Sequence, residues 1–388
     1  MIRHLLLLLW NKKRENFLLA LEVLLAFLVL FGISVFVLGN YQKYRQPLGF
    51  NSENLLVVPF TMGEEMDSAA IDATKEQLRL AMKNLAGVEE LSYGAWFPFS
   101  DTDLRTNSEA MGYLQSANFF LADENMARAM QFDLLEGRWF TKADLNGKYR
   151  PVIVNRRFRE AYFPGEKLAD RTIPWGDDEY LITGVIDEYK YFGEFRESPR
   201  ALFVPASEFN ELSLHAYIRV ADHLPSNFEE VLDQAIFGAV GDWEYDIIDL
   251  DWLRKESSRS TWAFMVAMLV ICGFLVFNVA LGLFGVVWYN TSKRRGEIGL
   301  RRALGATTGG ISRHFVSETL TMTTVAILVG LFFAGQLPFL APIELDGKIY
   351  AIAMLLAVFF IYTLVFVCSI IPSQQAAQIH PATALHEE

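Results

Sequence analysis

Cysteine is scarce in this chain, which has two among 388 residues, both inside apolar runs. Cys272 and Cys368 therefore provide no disulfide framework, because such cysteines behave as small apolar side chains. The strings of a Walker-type phosphate loop, a Gly-x-Ser-x-Gly turn, a Cys-x-x-Cys pair and a His-Glu-x-x-His helix are missing. Their absence argues against ATP hydrolysis of that type and against the commoner hydrolase, redox and zinc-peptidase chemistries. We assign no catalytic residue and no metal ligand.

Positive charge is also too sparse for a nucleic-acid binder, because 34 Lys and Arg face 46 Asp and Glu and the net charge is −12. Neutralising phosphates requires a clustered excess of positive charge. Apolar residues, in contrast, are abundant: 52% of the chain is hydrophobic and 14% is aromatic. This composition exceeds that of an ordinary soluble domain and indicates a membrane protein.

Four runs are long and apolar enough to cross a bilayer, since each reaches the ~20 residues that a membrane helix needs. We place them at residues 17–39, 262–289, 320–340 and 349–371. Basic residues precede the first run, as in a signal peptide, but the run is longer than a signal's apolar region and no Ala-x-Ala-like cleavage site follows it. We therefore expect a retained anchor.

Lys and Arg gather in short segments beside these runs, and basic residues in such segments resist translocation. Their positions predict that residues 1–16, 290–319 and 372–388 are cytoplasmic and that residues 40–261 and 341–348 lie outside. Residues 40–261 hold 23 Lys and Arg against 38 Asp and Glu, a net charge of −15. The acidity of the chain is therefore expected on the extracytoplasmic side.

Glu22 lies within the first run, where a carboxylate is costly unless it is paired, protonated or near the headgroups. We expect it to reach the inner interface or to pair with a basic residue such as Arg294, rather than to relay protons. The second run would form a helix of ~42 Å, longer than a ~30 Å hydrocarbon core requires. Because residues 251–260 contain no Gly or Pro, one helix is expected to continue from the outer domain into the bilayer as a rigid lever.

The outer segment has the same order of strand, helix and strand near both of its ends. Strand patterns at residues 54–60 and 88–93 flank a helical pattern at 68–85, and those at 215–220 and 243–248 flank one at 225–240. Two such units can pair into a split βαβ, ferredoxin-like layer. Residues of about 101–205 are then an inserted, mostly β subdomain with a short helix near 156–162. The predicted fold class is an α-helical membrane protein with four transmembrane helices and an α+β extracytoplasmic domain.

Candidate ligand groups in the outer domain have ordinary explanations. His215 and His223 lie near Asp222, but neighbours at a strand end are far more often simply exposed polar side chains than a metal site. The acidic pairs of Asp101 with Asp103 and of Asp177 with Asp178 could bind a divalent ion, although solvated turns explain them better. Six aromatic residues could line a binding surface for an apolar ligand or peptide, and core packing explains them equally well: Trp96, Phe97, Phe99, Phe119, Phe120 and Trp139.

The most specific signal is the segment at residues 292–320, which reads SKRRGEIGLRRALGATTGGISRHFVSETL. A basic cluster precedes Glu-Ile-Gly, and Arg, Ala-x-Gly-Ala, a helical stretch and a Glu follow before the third run. The C-terminus reads Pro-x3-Ala-Ala-x3-Pro-x2-Ala-Leu-x-Glu from Pro372 to Glu387. Together these patterns resemble the MacB/FtsX-like family of ABC transporter permeases. His386 stands where family members often have Arg.

The outer segment resembles the MacB-type periplasmic core. The resemblance rests on short strings at residues 136–140 (EGRWF), 154–155 (VN), 162–165 (YFPG) and 184–186 (GVI). It therefore spans nearly the whole chain. MacB itself has a fused N-terminal nucleotide-binding domain, which this chain lacks, so the resemblance implies a separate ATPase subunit.

The resemblance implies that the cytoplasmic loop at residues 290–319 is the site that couples the permease to the ATPase. The loop residues assigned to that site are Arg294, Glu297, Ile298, Gly299, Leu300, Arg301, Arg302, Leu304, Gly305, Ala306 and Glu318. A short amphipathic helix could seat Ile298, Leu300 and Leu304 in a groove of the partner while charges fix its orientation. The alternative is that the arginines only bind anionic headgroups and set the topology.

The resemblance further implies an ABC ATPase, a second permease chain that is identical or paralogous, and membrane lipids. For efflux it adds a periplasmic adaptor or an outer-membrane channel. ATP and Mg²⁺ would bind in the ATPase, and no cofactor is expected on this chain. The implied location is the bacterial inner membrane, with both termini cytoplasmic and the large domain in the periplasm.

Two functions fit the resemblance. The first is an export or efflux permease of the mechanotransmission type, in which ATP hydrolysis by a separate subunit moves the periplasmic domain. The second is an FtsX-like, non-transporting regulator of a periplasmic partner such as a cell-wall hydrolase. The 222 residues of the outer segment favour the first, because a regulator needs only a docking patch. A membrane-anchored enzyme fits least, and the substrate is not indicated.

Overall fold

The chain divides into two compact units in the computed structural model. The structure describes residues 13–61, 68–100, 117–175, 178–205, 215–241, 243–340 and 345–377. The helical unit comprises Met1–Gln42 and Trp262–Glu388, and the sheet unit comprises Lys43–Thr261. The sheet unit is thus a single segment inserted between the first and second apolar runs.

Both units contain helices. In chain order these are α1 (Lys13–Arg45), α2 (Ser68–Lys83), α3 (Met126–Met130), α4 (Arg156–Tyr162), α5 (Phe228–Val240), α6 (Leu250–Lys293), α7 (Arg295–Ala303), α8 (Thr308–Ala334), α9 (Leu337–Leu340) and α10 (Gly347–Ala377). Among the described residues, four helical spans are long and apolar enough to cross a membrane. They are Phe17–Arg45, Leu250–Lys293, Thr308–Leu340 and Gly347–Gln375, so the prediction of four transmembrane helices is confirmed.

The second of these helices is much longer than a bilayer requires. α6 has 44 residues, which corresponds to ~66 Å at the helical rise, about twice a ~30 Å hydrocarbon core. It begins at Leu250, as the missing Gly and Pro in the polar lead-in predicted. The third helix also begins before its apolar run, at Thr308.

The core of the helical unit forms around α1. Phe27 is fully buried and belongs to one apolar cluster with Leu283 of α6, Ile327 of α8 and Ile361 of α10. Gly330 of α8 lies directly against Phe27, because a Cβ added at Gly330 would come within 2.5 Å of its ring. Small residues let membrane helices approach closely, since lipid supplies no hydrophobic driving force between them.

The sheet unit is built from short strands. They are β1 (Leu55–Thr61), β2 (Val88–Ala95), β3 (Asn118–Ala122), β4 (Leu134–Gly137), β5 (Arg150–Asn155), β6 (Arg171–Trp175), β7 (Asp178–Ile186), β8 (Ala201–Pro205), β9 (His215–Val220), β10 (Glu244–Tyr245) and β11 (Ile248–Asp249). Four of them pair antiparallel in the order β10, β1, β9, β2. With α2 and α5 packed on them, this is the predicted ferredoxin-like layer.

The inserted strands extend the same sheet instead of forming a second one. β2 pairs with β3, β3 pairs parallel with β8, and the order continues through β5 and β7 to β4. The insert is mostly β, as predicted. The predicted strand at residues 243–248 is two short pieces, β10 and β11, which both pair with β1.

The family strings in the sheet unit hold the backbone together. Asn155 is fully buried and caps α4 by accepting a hydrogen bond from the Phe158 amide at 3.0 Å. Its side-chain amide donates to the Pro199 carbonyl at 2.8 Å. Glu136 accepts from Arg159 at 2.6 Å and from the Leu168 amide at 3.0 Å. Asn155 and Glu136 therefore hold loops of the sheet unit in place.

Candidate functional site

The segment between α6 and α8 folds as a small helical hairpin. α7 ends in a turn in which the Ala306 amide donates to the Arg301 carbonyl and the Gly305 amide donates to the Arg302 carbonyl, both at 3.0 Å. This pair of bonds is a Schellman motif, which requires a left-handed residue directly after the helix. Gly305 supplies it at φ +93°. The Gly of the Ala-x-Gly-Ala string is therefore a backbone requirement of the hairpin.

The next helix begins immediately after this turn. The Thr307 hydroxyl caps α8 by accepting a hydrogen bond from the Gly310 amide at 3.1 Å. An oxygen at this position satisfies one of the free amides of a helix start. The turn from α7 to α8 is thus closed on both sides by local bonds.

A small apolar cluster joins the two arms of the hairpin. Ile298 of α7 is 1% exposed and packs with Ile311 and Phe315 of α8, and Ala306 lies against them. Ile298 therefore points into the hairpin and is not available to a partner groove, contrary to the expectation above. The physical reason is that α8 begins at Thr308, before its apolar run, so its Ile311 and Phe315 are present to cover that face of α7.

A buried ion pair closes the base of the hairpin. Arg294 donates from Nη1 and Nη2 to the two carboxylate oxygens of Glu318, at 2.8 and 3.0 Å. The guanidinium also lies over the Phe315 ring, 5.6 Å from its centroid. The side chains are only 18% and 15% exposed. A bidentate pair of this kind fixes geometry as well as charge.

The outer face of α7 presents apolar and charged side chains together. Leu300 is 54% exposed and Leu304 is 80% exposed. Arg301 donates to Glu297 one turn earlier at 2.6 Å, on the same helix. We call Glu297, Leu300, Arg301 and Leu304 the outer face of α7. Such a face suits a partner that combines an apolar groove with charges at its rim.

The loop residues chosen from the sequence thus fall into two groups. Those inside the hairpin or at its base are Arg294, Ile298, Gly299, Ala306 and Glu318. Those that are exposed or half-exposed are Glu297, Leu300, Arg301, Arg302, Leu304 and Gly305. The first group and the turn at Gly305 build the hairpin, whereas the outer face of α7 is exposed. Whether any of them couples to an ATPase stays a prediction.

Glu22 does not pair with Arg294, whose partner is Glu318. Its carboxylate lies instead against Gly282 of α6, where an added Cβ would overlap Oε1. The pairing suggested from the sequence is therefore wrong. The space comes from the missing side chain of Gly282, which sequence periodicity does not reveal.

The aromatic residues of the outer domain mostly fill its core. Phe120 and Trp139 are buried and pack with Phe203, at centroid distances of 5.3 and 5.6 Å. Phe99 is buried in the same cluster, whereas Trp96 and Phe97 are half-buried against it. Core packing therefore accounts for these side chains.

The candidate metal ligands of the outer domain lie only partly within the described residues. His215 is buried against the Phe97 ring, and Asp222 accepts a hydrogen bond from Asn54 at 2.6 Å. Asp101, Asp103, Asp177 and the side chain of Asp178 lie outside the described residues. Within the part of the chain that the structure describes, no three His, Cys, Asp or Glu side chains could hold a metal ion together.

Comparison with known families identifies both units. A model of the MacB-like periplasmic core domain matches residues 17–235, and one of the FtsX-like permease C-terminal region matches residues 262–381. The first match alone covers more than half of the chain. The chain belongs to the MacB/FtsX-like family of ABC transporter permeases.

Two relatives show how far the permease matches other proteins. The uncharacterized ABC transporter permease YvrN of Bacillus subtilis is 22% identical over 98% of this permease and 97% of its own length. The macrolide export ATP-binding/permease protein MacB of Chlorobium luteolum is 21% identical over 65% of this permease. The match covers only 40% of that MacB, so its whole activity is not carried over.

Two solved structures align with the permease. The periplasmic region of MacB from Actinobacillus actinomycetemcomitans covers 55% of this chain and 97% of its own, with 14% identity and a TM-score of 0.36. The extracellular domain of YknZ from Gram-positive bacteria covers 50% and 100%, with 16% identity and a TM-score of 0.33.

One cluster of polar residues has no recognisable signal in the sequence. Lys190, Glu194 and Glu197 lie between β7 and β8 and contact the ends of two long helices in the sheet unit. A lysine that is 1% exposed is rare. In the sequence, however, this segment reads as an ordinary polar loop.

Proposed function

We propose that this permease couples ATP hydrolysis by a separate ABC ATPase subunit to movement of its extracytoplasmic domain, for export or efflux. The observation that carries the proposal is the outer face of α7. Leu300 and Leu304 are held outward by a hairpin whose own core and ion pair are complete without them. Exposed leucines between charged residues favour a protein partner with an apolar groove.

The hairpin is suited to receive force because it is rigid at its base. The Arg294–Glu318 pair joins the end of α6 to α8, so a displacement of α7 is passed to both helices. α6 continues without interruption from Lys293 back to Leu250. A helix of that length supports transmission of movement across the bilayer.

In the proposed assembly, ATP and Mg²⁺ bind in the ATPase, and two permease chains pair in the bacterial inner membrane. The termini and the hairpin lie in the cytoplasm, where an ATPase is available. The acidic outer domain lies outside and handles the substrate, assisted in efflux by an adaptor or outer-membrane channel. The basic residues of the loop support this orientation.

The proposal is tested with tagged full-length permease carrying Leu300→Asp or Leu304→Asp. Purification in mild detergent should recover about tenfold less ABC ATPase than the parent does, a loss of ~1.4 kcal/mol in binding. Mass spectrometry of the eluate and its rate of ATP hydrolysis measure this. Since both side chains are exposed, the thermal unfolding temperature of the permease should not change.

Leu145→Asp is the matched control, because Leu145 is an exposed leucine of the sheet unit. It should leave ATPase recovery at the parental level. Unchanged recovery with both α7 variants would refute the docking role. If those variants instead lost only binding to vesicles containing anionic lipid, the loop would serve the membrane rather than an ATPase.

A further inference from the structure

The loop at residues 189–198, between β7 and β8, is closed at its base. The Tyr189 amide donates to the Ser198 hydroxyl at 2.9 Å, and that hydroxyl donates to the Tyr189 carbonyl at 3.0 Å. The Asn155 side chain also donates to the Ser198 hydroxyl at 3.2 Å. We call residues 189–198 the clasp loop. A loop whose ends meet in this way is a compact body rather than a slack connection.

The clasp loop is anchored in the sheet unit by two aromatic residues. Tyr189 and Tyr191 are buried, and the ring centroid of each lies 4.9 Å from that of Phe120 in the aromatic core. The Phe99 amide donates to the Tyr191 carbonyl at 2.8 Å. Any displacement of the loop must therefore disturb the core, or the core must move with it.

One side of the clasp loop grips the end of α1. Lys190 is 1% exposed, and its Nζ donates to the Lys43 carbonyl and, at 3.0 Å, to the Glu194 carbonyl. Lys43 lies in the last turn of α1, where carbonyls have no partner within the helix and a cation is favourable. The Phe195 ring stacks on Tyr44 with centroids 5.6 Å apart.

The burial of Lys190 is costly in itself. Removal from water lowers the pKa of Lys190 to about 8. A buried apolar side chain would fill the same space without that cost, but it could not hold the carbonyl of Lys43. The lysine is therefore suited to a bond with α1 rather than to filling the core.

The other side of the clasp loop grips the beginning of α6. The Glu194 carboxylate accepts from the Ser258 hydroxyl at 2.9 Å and lies 3.8 Å from Nε of Arg254. At Gly193 the backbone has φ +108°, and an added Cβ would lie 3.5 Å from the Ser257 hydroxyl. The helix thus passes close to the loop backbone.

We infer that the clasp loop transmits changes in the relative position of the α1 and α6 ends to the sheet. Resting on the proposed function, this assigns Lys190 and Glu194 as positioning residues of the force pathway. One compact loop holds both ends, so neither can shift against the other without straining it. β7 ends at Ile186, shortly before the clasp loop, and β8 begins at Ala201, shortly after it, so strain in the loop passes into the inserted strands.

One test of this inference measures the resting permease alone, without an ATPase. Spin labels at Gln46→Cys and Lys255→Cys, in full-length permease with Cys272→Ser and Cys368→Ser, report the distance between the two helix ends. In the parent the distance distribution should be narrow, and in Lys190→Met/Glu194→Gln it should broaden. Arg196→Gln, an exposed residue of the same loop, is the control and should match the parent. A double variant as narrow as the control would overturn the inference.

The dynamic part uses the permease with its co-purified ATPase, free of nucleotide or trapped with ATP and vanadate. Trapping should shift the label distance and change hydrogen exchange of peptides covering residues 187–205. In Lys190→Met and in Glu194→Gln the distance shift should persist, while the exchange response is lost. Met preserves the bulk of the buried lysine, and Gln keeps an acceptor for Ser258, so folding is retained.

The two proposals fail differently. If no ATPase co-purifies, or if trapping leaves the distance between the spin labels unchanged, the proposed function is wrong. The distance distribution of the double variant without ATPase then still tests the role of the clasp loop. The label distance could instead shift on trapping while hydrogen exchange of the parental loop peptides does not change. Alternatively, Lys190→Met and Glu194→Gln could both show the same exchange response as Arg196→Gln. Either result would refute the role of the clasp loop and leave the proposed function standing.

Discussion

Arg294 and Glu318 are 24 positions apart in the sequence, yet their side chains form two parallel hydrogen bonds. Their charges are largely removed from water, so each depends on the other. At this scale a few residues define the hairpin between α6 and α8: one ion pair, one buried isoleucine and one glycine in the left-handed conformation. The exposed Leu300 and Leu304 lie outside the hairpin's apolar cluster.

Replacing Glu318 with Gln should loosen the hairpin, because Arg294 would lose the negative charge to which it donates two hydrogen bonds. Losing one partner of a fully buried pair costs roughly 3–5 kcal/mol. As these side chains keep some exposure, we expect about 2 kcal/mol, or ~30-fold faster hydrogen exchange in α7. The exchanged pair Arg294→Glu/Glu318→Arg should restore part of the protection. Unaltered exchange in Glu318→Gln would show that the pair does not hold the hairpin.

Lys190 should make the stability of the sheet unit depend on pH. Burial lowers its pKa from 10.5 to about 8, with Glu188, Glu194, Arg157 and Lys43 also acting on it. Between those pH values the unfolded chain binds more protons than the folded chain, so the free energy of unfolding rises with pH. Well below pH 8 both states are protonated and this contribution is constant.

Urea unfolding of full-length wild type and Lys190→Met at pH 7, 9 and 10 measures the effect. The wild type should gain stability relative to the variant from pH 7 to pH 10, because Met has no proton to lose. A difference between the two proteins that stays constant over this range would contradict the lowered pKa.

At the scale of the helices, close approach depends on missing side chains. Gly282 of α6 leaves room for the Glu22 carboxylate of α1, and Gly330 of α8 leaves room for Phe27. α7 illustrates a different point, since its apolar residues lie on two faces. Ile298 is covered by α8, whereas Leu300 is exposed.

Gly282→Ala should destabilise the helical unit, because the new methyl group would overlap the Glu22 carboxylate. Overpacking of this kind costs about 1–3 kcal/mol. Glu22→Ala/Gly282→Ala should recover most of the loss, as the carboxylate is then gone. Thermal unfolding in detergent micelles measures all three proteins.

Gly285→Ala is the matched control on the same helix, since no atom lies within 4 Å of a Cβ built there. Its unfolding temperature should equal that of the parent or exceed it slightly, because Ala favours the helix. Equal effects of Gly282→Ala and Gly285→Ala would mean that Glu22 does not occupy this space.

At the scale of the whole molecule, the chain has a helical unit with four membrane-spanning candidates and a sheet unit inserted after the first. The inserted unit is one continuous sheet across its described strands. The inserted unit is strongly acidic, whereas the segment between α6 and α8 is basic. This asymmetry predicts which parts are retained in the cytoplasm.

The predicted orientation is tested with single cysteines at Leu145 and Leu304, which are exposed in the sheet unit and in the hairpin. In a background with Cys272→Ser and Cys368→Ser, a membrane-impermeant maleimide should label Leu145→Cys in cells with a permeable outer envelope. Leu304→Cys should be labelled only after the inner membrane is opened. Labelling of Leu304→Cys in sealed cells would reverse the topology and remove the docking proposal.

Much of the architecture was predictable because it follows from local patterns. Apolar runs of sufficient length predicted four membrane helices, and two repeats of strand, helix and strand predicted the ferredoxin-like layer. The sequence pattern points to both Arg294 and Glu318 but not to their pairing, and it suggests Arg294 as a partner for Glu22 instead. Pairing depends on the turn at Gly305, which brings α8 back against α7.

By itself, the sequence determined the class of the protein, the number of membrane-spanning helices and the position of the inserted domain, because these depend on run length, hydropathy and period. Only the tertiary structure decided which side of α7 is exposed and which residues hold the two helix ends. Lys190 meets a carbonyl 147 positions away, and Glu194 meets a hydroxyl 64 positions away. No local pattern encodes such contacts, since they exist only once the strands and helices have packed.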